Sequence, residues 1–165
     1  MAVLFDLTDS LRKAEARLSP RASRSDRGQF RLPSAVAARL SQLLSGYEKP
    51  PLAQVMQSLD EYCQKHGESA PSRATVYHFM AKTEIHSYRV ADLPSAAKEA
   101  LYNLGDVARV PGHQLAFYCF NYGSLAAIEF AAALPWIDLY QAYRTRGFRP
   151  KSRGLLAAVM RARPL

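Results

Sequence analysis

Apolar residues recur three and four positions apart along most of this chain, and the recurrence breaks at prolines and glycines. Val3, Leu4, Leu7 and Leu11 fall on one stripe and predict a short amphipathic helix within 1–18. Residues 19–33 (SPRASRSDRGQFRLP) hold few apolar positions and predict a linker or basic arm. Periodicity resumes at 34–46, with Val36, Leu40, Leu43 and Leu44 inward, Ser34 as the expected N-cap and Gly46 as the expected left-handed C-cap. Leu52, Val55, Met56, Leu59, Tyr62 and Cys63 predict a second helix over 52–66, closed by Gly67. Ser72 is placed to cap a third helix, over 72–83, whose inward stripe is Val76, Phe79 and Met80.

The period then shortens to two. Ile85, Ser87, Arg89 and Ala91 alternate with His86, Tyr88, Val90 and Asp92, which predicts a strand that Pro94 ends. PSAAKEALYNLG predicts a helix and GDVARVPG a loop, and the aromatic run HQLAFYCFN at 113–121 predicts a second, buried strand. Helices are expected at 124–133, 137–146 and 152–163, the last with Leu155, Leu156, Val159 and Met160 inward. The expected fold is mainly α: a winged helix-turn-helix with a short two-stranded sheet and a C-terminal helical bundle. The expected divisions are an N-terminal helix and basic arm at 1–33, a helix-turn-helix-like domain at 34–92 and a C-terminal helical domain at 93–165.

Charge changes this picture. Among 165 residues, 22 are Lys or Arg and 14 are Asp or Glu, a net charge of +8 and a pI near 9.7. Such a balance points to a polyanionic partner. No acid follows Asp138, whereas Arg144, Arg146, Arg149, Lys151, Arg153, Arg161 and Arg163 do. A second basic run holds Arg12, Lys13, Arg17, Arg21, Arg24, Arg27 and Arg31, diluted by acids. Arginine dominates both runs, and its planar fork grips phosphate oxygens bidentately. Cys63 and Cys119 form no disulfide framework, the first residues lack a secretory pattern, and no apolar run approaches the roughly 20 residues of a membrane span. A cytoplasmic protein without a membrane association is the expectation.

The third helix carries the clearest recognition chemistry. Its first turn offers Ser72, Arg73 and Thr75, and Tyr77, His78 and Lys82 lie off the apolar stripe. An arginine there can read a guanine edge, hydroxyls at a helix start can hold phosphate, and Arg89 on the following strand can reach the backbone. The string PSRATVYHFM resembles the recognition helix of winged helix-turn-helix regulators, over residues 50–92. That resemblance implies double-stranded DNA as ligand and a homodimer, with the first helix or the segment 115–122 as interface. A regulator of this size also fits the antitoxin class that represses its own toxin–antitoxin operon and binds the toxin protein.

The loop RTRGFRPKSRG is a second expected contact. Its charges cannot be buried unpaired, and Phe148 among Arg144, Arg146, Arg149, Lys151 and Arg153 joins a ring to phosphate-binding groups. An RNA- or acidic-protein-binding module without catalytic activity is the alternative reading of the same arginines. Trp136, beside Pro135, is expected to be structural. Cys63 and His66 stand three apart on one helix, yet Cys63 falls in the apolar stripe and no CxxC or HxxxH accompanies it. Cys119 sits among aromatic residues, where a thiol is inert, and no GxSxG, GxGxxG or GxxxxGK[ST] motif occurs. No metal, no cofactor and no enzyme activity are expected.

Overall fold

Val36, Leu40 and Leu44, each four residues from the next, fix the inner face of the first helix that the computed structural model describes; its described residues are 32–104 and 107–163, Asn103 by backbone alone. The N-terminal helix and most of the basic arm expected from sequence lie outside them. α1 (Ser34–Leu44) is capped by Pro33 rather than by Ser34. It does not end in a left-handed Gly46; the Ser45 hydroxyl instead donates to the Ser41 carbonyl at 2.6 Å and satisfies the last turn locally. α2 (Leu52–His66) buries Val55, Leu59 and Cys63 and does end as expected: Gly67 turns left-handed at φ 68°, and the Glu68 N–H returns to the Cys63 carbonyl at 2.9 Å. α3 (Arg73–Lys82) starts at Ser72, whose hydroxyl accepts from the Thr75 N–H at 3.2 Å, and it buries Val76, Phe79 and Met80.

The strand expected over 85–92 shrinks to β1 (Ser87–Arg89), and a 3-10 turn, Val90–Asp92, follows at once. Its partner is β2 (Arg109–Pro111), antiparallel, with Ser87 opposite Pro111, Tyr88 opposite Val110 and Arg89 opposite Arg109. α4 (Ser95–Ala100) and a second 3-10 turn, Tyr102–Leu104, lie between the two strands, so this sheet closes over a helical excursion and not through a hairpin.

Residues 113–121 are not a strand. They lie in α5 (Gly112–Tyr122), which buries Leu115, Ala116, Cys119 and Phe120. The spacing i, i+1, i+4, i+5 has the helical period and never alternates. Strand preference of aromatic side chains gives way to burial on one continuous helix face. α6 (Leu125–Ala132) begins at its cap Ser124, α7 (Trp136–Arg144) at Pro135, and α8 (Pro150–Ala162) at Arg149. In α8 only Leu156 is fully buried, and Leu155 faces out at 43% exposure against the expectation.

The protein is thus mainly helical with one short two-stranded sheet. The core gathers around α5, which packs against α4, α6, α7 and α8. α3 rests on α7, and β1 pairs with β2, so contacts cross the boundary expected at 92/93; the described residues form one compact unit. Trp136 is buried and stacks on Tyr140 with ring centroids 5.0 Å apart, the structural role expected of it. No helix among the described residues is long and apolar enough to cross a membrane.

Candidate nucleic-acid interface

With Val76, Phe79 and Met80 turned inward, α3 must present Arg73, Tyr77, His78 and Lys82 outward, and all four are exposed. Its two ends are pinned. At the start, Ser72 and Thr75 bond to each other through their hydroxyls at 2.9 Å as well as through the cap, so these groups order the helix start. At the far end, the Gln141 side chain of α7 is buried and donates to the carbonyls of Met80 and Thr83, both at 2.8 Å. One amide thereby answers two carbonyls that a helix C-terminus leaves orphaned.

The expected contact residues divide into groups. Lys82 and Arg144 share a cleft of about 350 Å³ with Glu84, His113, Gln141 and Thr145, which joins the end of α3 to the end of α7. Tyr77 borders a different, mostly apolar cleft with Trp136 and Tyr140. Arg89 does not join them. It faces Arg109 across the sheet and lines a cleft with Phe130, Leu134 and Pro135, while Arg109 is held by the Ser87 carbonyl at 2.8 Å.

The basic turn between α7 and α8 has a defined shape. Gly147 takes φ 95°, a left-handed conformation that a side chain would strain. Buried Asn121 of α5 clasps the turn: its amide donates to the Gly147 carbonyl at 3.4 Å, and its oxygen accepts from the Arg149 N–H at 3.1 Å. Phe148 is not a free stacking ring; it packs partly buried against Phe117, centroids 4.8 Å apart. The cations remain outside. Arg144, Arg146, Arg149, Lys151 and Arg153 are all exposed, and none makes an ion pair with a described carboxylate. Arg149 lies 4.8 Å from the Tyr122 ring centroid, Arg153 4.7 Å from that of Tyr143 and Arg144 5.7 Å from that of Tyr140.

Their position relative to the helices matters most. Arg144 and Arg146 lie at the C-terminus of α7, where the backbone dipole favours cations. Arg149, Lys151 and Arg153 occupy the N-cap and first turn of α8, where it opposes them, and that turn holds no acid and no side-chain cap. Arg73 stands likewise in the acid-free first turn of α3. Exposed cations at a positive helix end are each a small local cost that a bound anion would reverse.

Several residues with defined roles carry little signal in the sequence. Arg163, one of the C-terminal basic run, is a buried clamp: it donates to the carbonyls of Ala132, Leu134 and Tyr47 at 2.5, 2.7 and 2.7 Å and covers the Tyr47 ring at 4.1 Å. Asp138 is buried in the first turn of α7 and accepts from Tyr88 Oη at 3.1 Å, with His86 Nδ1 also at 3.1 Å. Burial drives its pKa up, and His86, Tyr88 and His113 draw it partly back. Burial, together with the Asp138 charge, pushes the Tyr88 hydroxyl above its ordinary range. The one available signal was an acid inside the apolar stretch LPWIDLY. The Cys119 thiol is buried in the core and pushed up to about 12, and the His66 ring lies tilted against Tyr62, centroids 4.3 Å apart, while Cys63 is buried.

No family model, curated protein or solved structure matches the chain.

Proposed function

We propose that this protein binds nucleic acid and acts as a DNA-binding regulator, gripping phosphates through the α7–α8 turn and presenting α3 to the duplex. The observation that carries this reading is the cluster Arg149, Lys151 and Arg153 at the N-terminus of α8, exposed, without a carboxylate partner among the described residues and set against the helix dipole. Phosphate oxygens relieve both the mutual repulsion and the dipole conflict, and arginine forks hold them bidentately. Lys82 and Arg144, in one cleft, extend the basic surface from this turn to the exposed face of α3. A homodimer that represses its own toxin–antitoxin operon is the biological setting in which such a regulator fits.

The test is a salt titration of duplex affinity. Replacing Arg146, Arg149, Lys151 and Arg153 together with Ala is expected to keep the far-UV spectrum of the wild-type protein, because none is buried. The variant is expected to bind all sequences more weakly, with a slope of log affinity against log salt lower by roughly 0.9 for each phosphate no longer neutralised. A wild-type slope in this variant would remove the turn from the interface.

A further inference from the structure

Where the end of α5 meets the α7–α8 turn and the 3-10 turn at 102–104, five aromatic rings gather. Tyr122 is central, with ring centroids 5.8 Å from Tyr118, 6.3 Å from Tyr102 and 6.4 Å from Phe117. Phe117 packs edge-on against Phe148, and Tyr118 and Phe148 are partly buried against the core, which accounts for these three. Tyr102 and Tyr122 are outermost, 67% and 37% exposed, and core packing does not require them there. Among the described residues, Tyr102 makes its one ring contact with Tyr122, edge to face at 90°. The Arg149 guanidinium covers Tyr122 at 4.8 Å.

A lone exposed tyrosine needs no explanation. Two of them beside a guanidinium plane and the exposed cations of the α8 N-terminus form a different surface, in which flat apolar rings alternate with anion-seeking groups. A duplex satisfies only the second kind, because its base faces are hidden in the stack. A single strand offers both, with base faces and phosphates in regular succession.

We infer that this end of the molecule binds unpaired bases of a single-stranded nucleic acid. Tyr102 stacks on one base and the Arg149–Tyr122 pair on a neighbouring one, while Arg146, Lys151 and Arg153 hold the intervening phosphates. The inference rests on the phosphate-binding reading of the same turn and adds the bases to it.

The experiment titrates the full chain with fluorescent oligo(dT), oligo(U) and an abasic DNA strand of equal length, which keeps the phosphates and lacks the bases. The base-bearing strands are expected to bind at least about fivefold tighter than the abasic strand, the effect of one stacked base. The two base-bearing arms separate DNA from RNA as the source of the strand. Tyr102→Ala is expected to abolish most of this preference and Tyr102→Phe to retain it, both with the wild-type far-UV spectrum, since the side chain is exposed. Equal affinity of the wild-type protein for abasic and base-bearing strands would overturn the inference. So would an unchanged preference in Tyr102→Ala. If in either of these cases abasic binding is still salt-dependent and abolished in the quadruple Ala variant, phosphate binding stands and only base stacking falls. If no strand and no duplex binds, both readings fall together.

Discussion

The His86 imidazole, just before β1, meets the Asp138 carboxylate in the first turn of α7 at 3.1 Å, across 52 residues of chain. Tyr88, two residues on, donates to the other oxygen at 3.1 Å. A single buried acid thus joins the sheet to the helix on which α3 rests. The N-terminus of α7 adds its dipole to these donors, so the carboxylate is supported although desolvated.

Stability should therefore carry a pH signature from Asp138. Burial raises its folded-state pKa above the ordinary 3.8. In the window above that value the folded chain holds a proton that the unfolded chain has released, so this contribution is full at low pH and lost as pH rises through the folded pKa. His86, His113 and Tyr88 oppose the shift and narrow the window. Melting temperatures of the wild-type protein minus those of Asp138→Asn, measured across pH, are expected to fall with rising pH. A difference that grows with pH would mean that the partners outweigh burial.

Gly112 is the residue that admits this carboxylate. A Cβ there would land on the Asp138 side chain. Gly112→Ala is expected to cost about 2–3 kcal/mol in denaturant unfolding, as overpacking does. The nearest atoms it would meet all belong to Asp138, so Gly112→Ala combined with Asp138→Ala should destabilise by less than the sum of the single changes. Strict additivity would show that the two positions do not meet.

Gln141→Leu tests the coupling of α3 to α7. Leu nearly fills the space yet leaves the Met80 and Thr83 carbonyls without their donor. The expected loss is about 1–3 kcal/mol, with faster amide exchange in the last turn of α3 than in α5. Unchanged exchange there would mean that the amide does not hold the helix end.

How far the sequence revealed this arrangement depends on the range of the interaction. Most local signals worked: Ser72 caps α3, Gly67 ends α2, and Val76, Phe79 and Met80 turn inward as their spacing demands, whereas Ser34 and Gly46 do not cap α1. Signals that need a partner failed. HQLAFYCFN reads as a strand from aromatic preference, and only the helices packed around α5 select the helix. The strand at 109–111 was hidden in an apparent loop because its ladder depends on β1, beyond α4. The exposed cations of the basic turn were legible, since lone charges stay in solvent. That three of them lie at the start of a helix was not, because α8 begins at Pro150 rather than Ser152. Arg163 reads as one more surface cation, since nothing near it in sequence supplies the three carbonyls it clamps.

The sharpest separation of fold from recognition lies in adjacent residues at the start of α3. Ser72 accepts from the Thr75 N–H and shares a hydrogen bond with its hydroxyl, so it orders the first turn. Arg73 is exposed in the same turn, which holds no acid. Ser72→Ala is expected to cost about 1 kcal/mol of stability as a lost N-cap. It should weaken DNA binding only as far as the helix start frays. Arg73→Ala should leave the unfolding midpoint in place or raise it slightly, because it removes a cation from a positive helix end. Its expected effect is on recognition: about 1–3 kcal/mol of affinity for a preferred duplex, found by selection from random sequences, and a relaxed preference at one base pair. The pair of variants is read by denaturant unfolding together with titration of preferred and scrambled duplexes. If Arg73→Ala weakens both duplexes equally, Arg73 touches phosphate and α3 does not read sequence through it. If it changes neither, Arg73 makes no contact with the duplex and the proposed role of α3 loses that support.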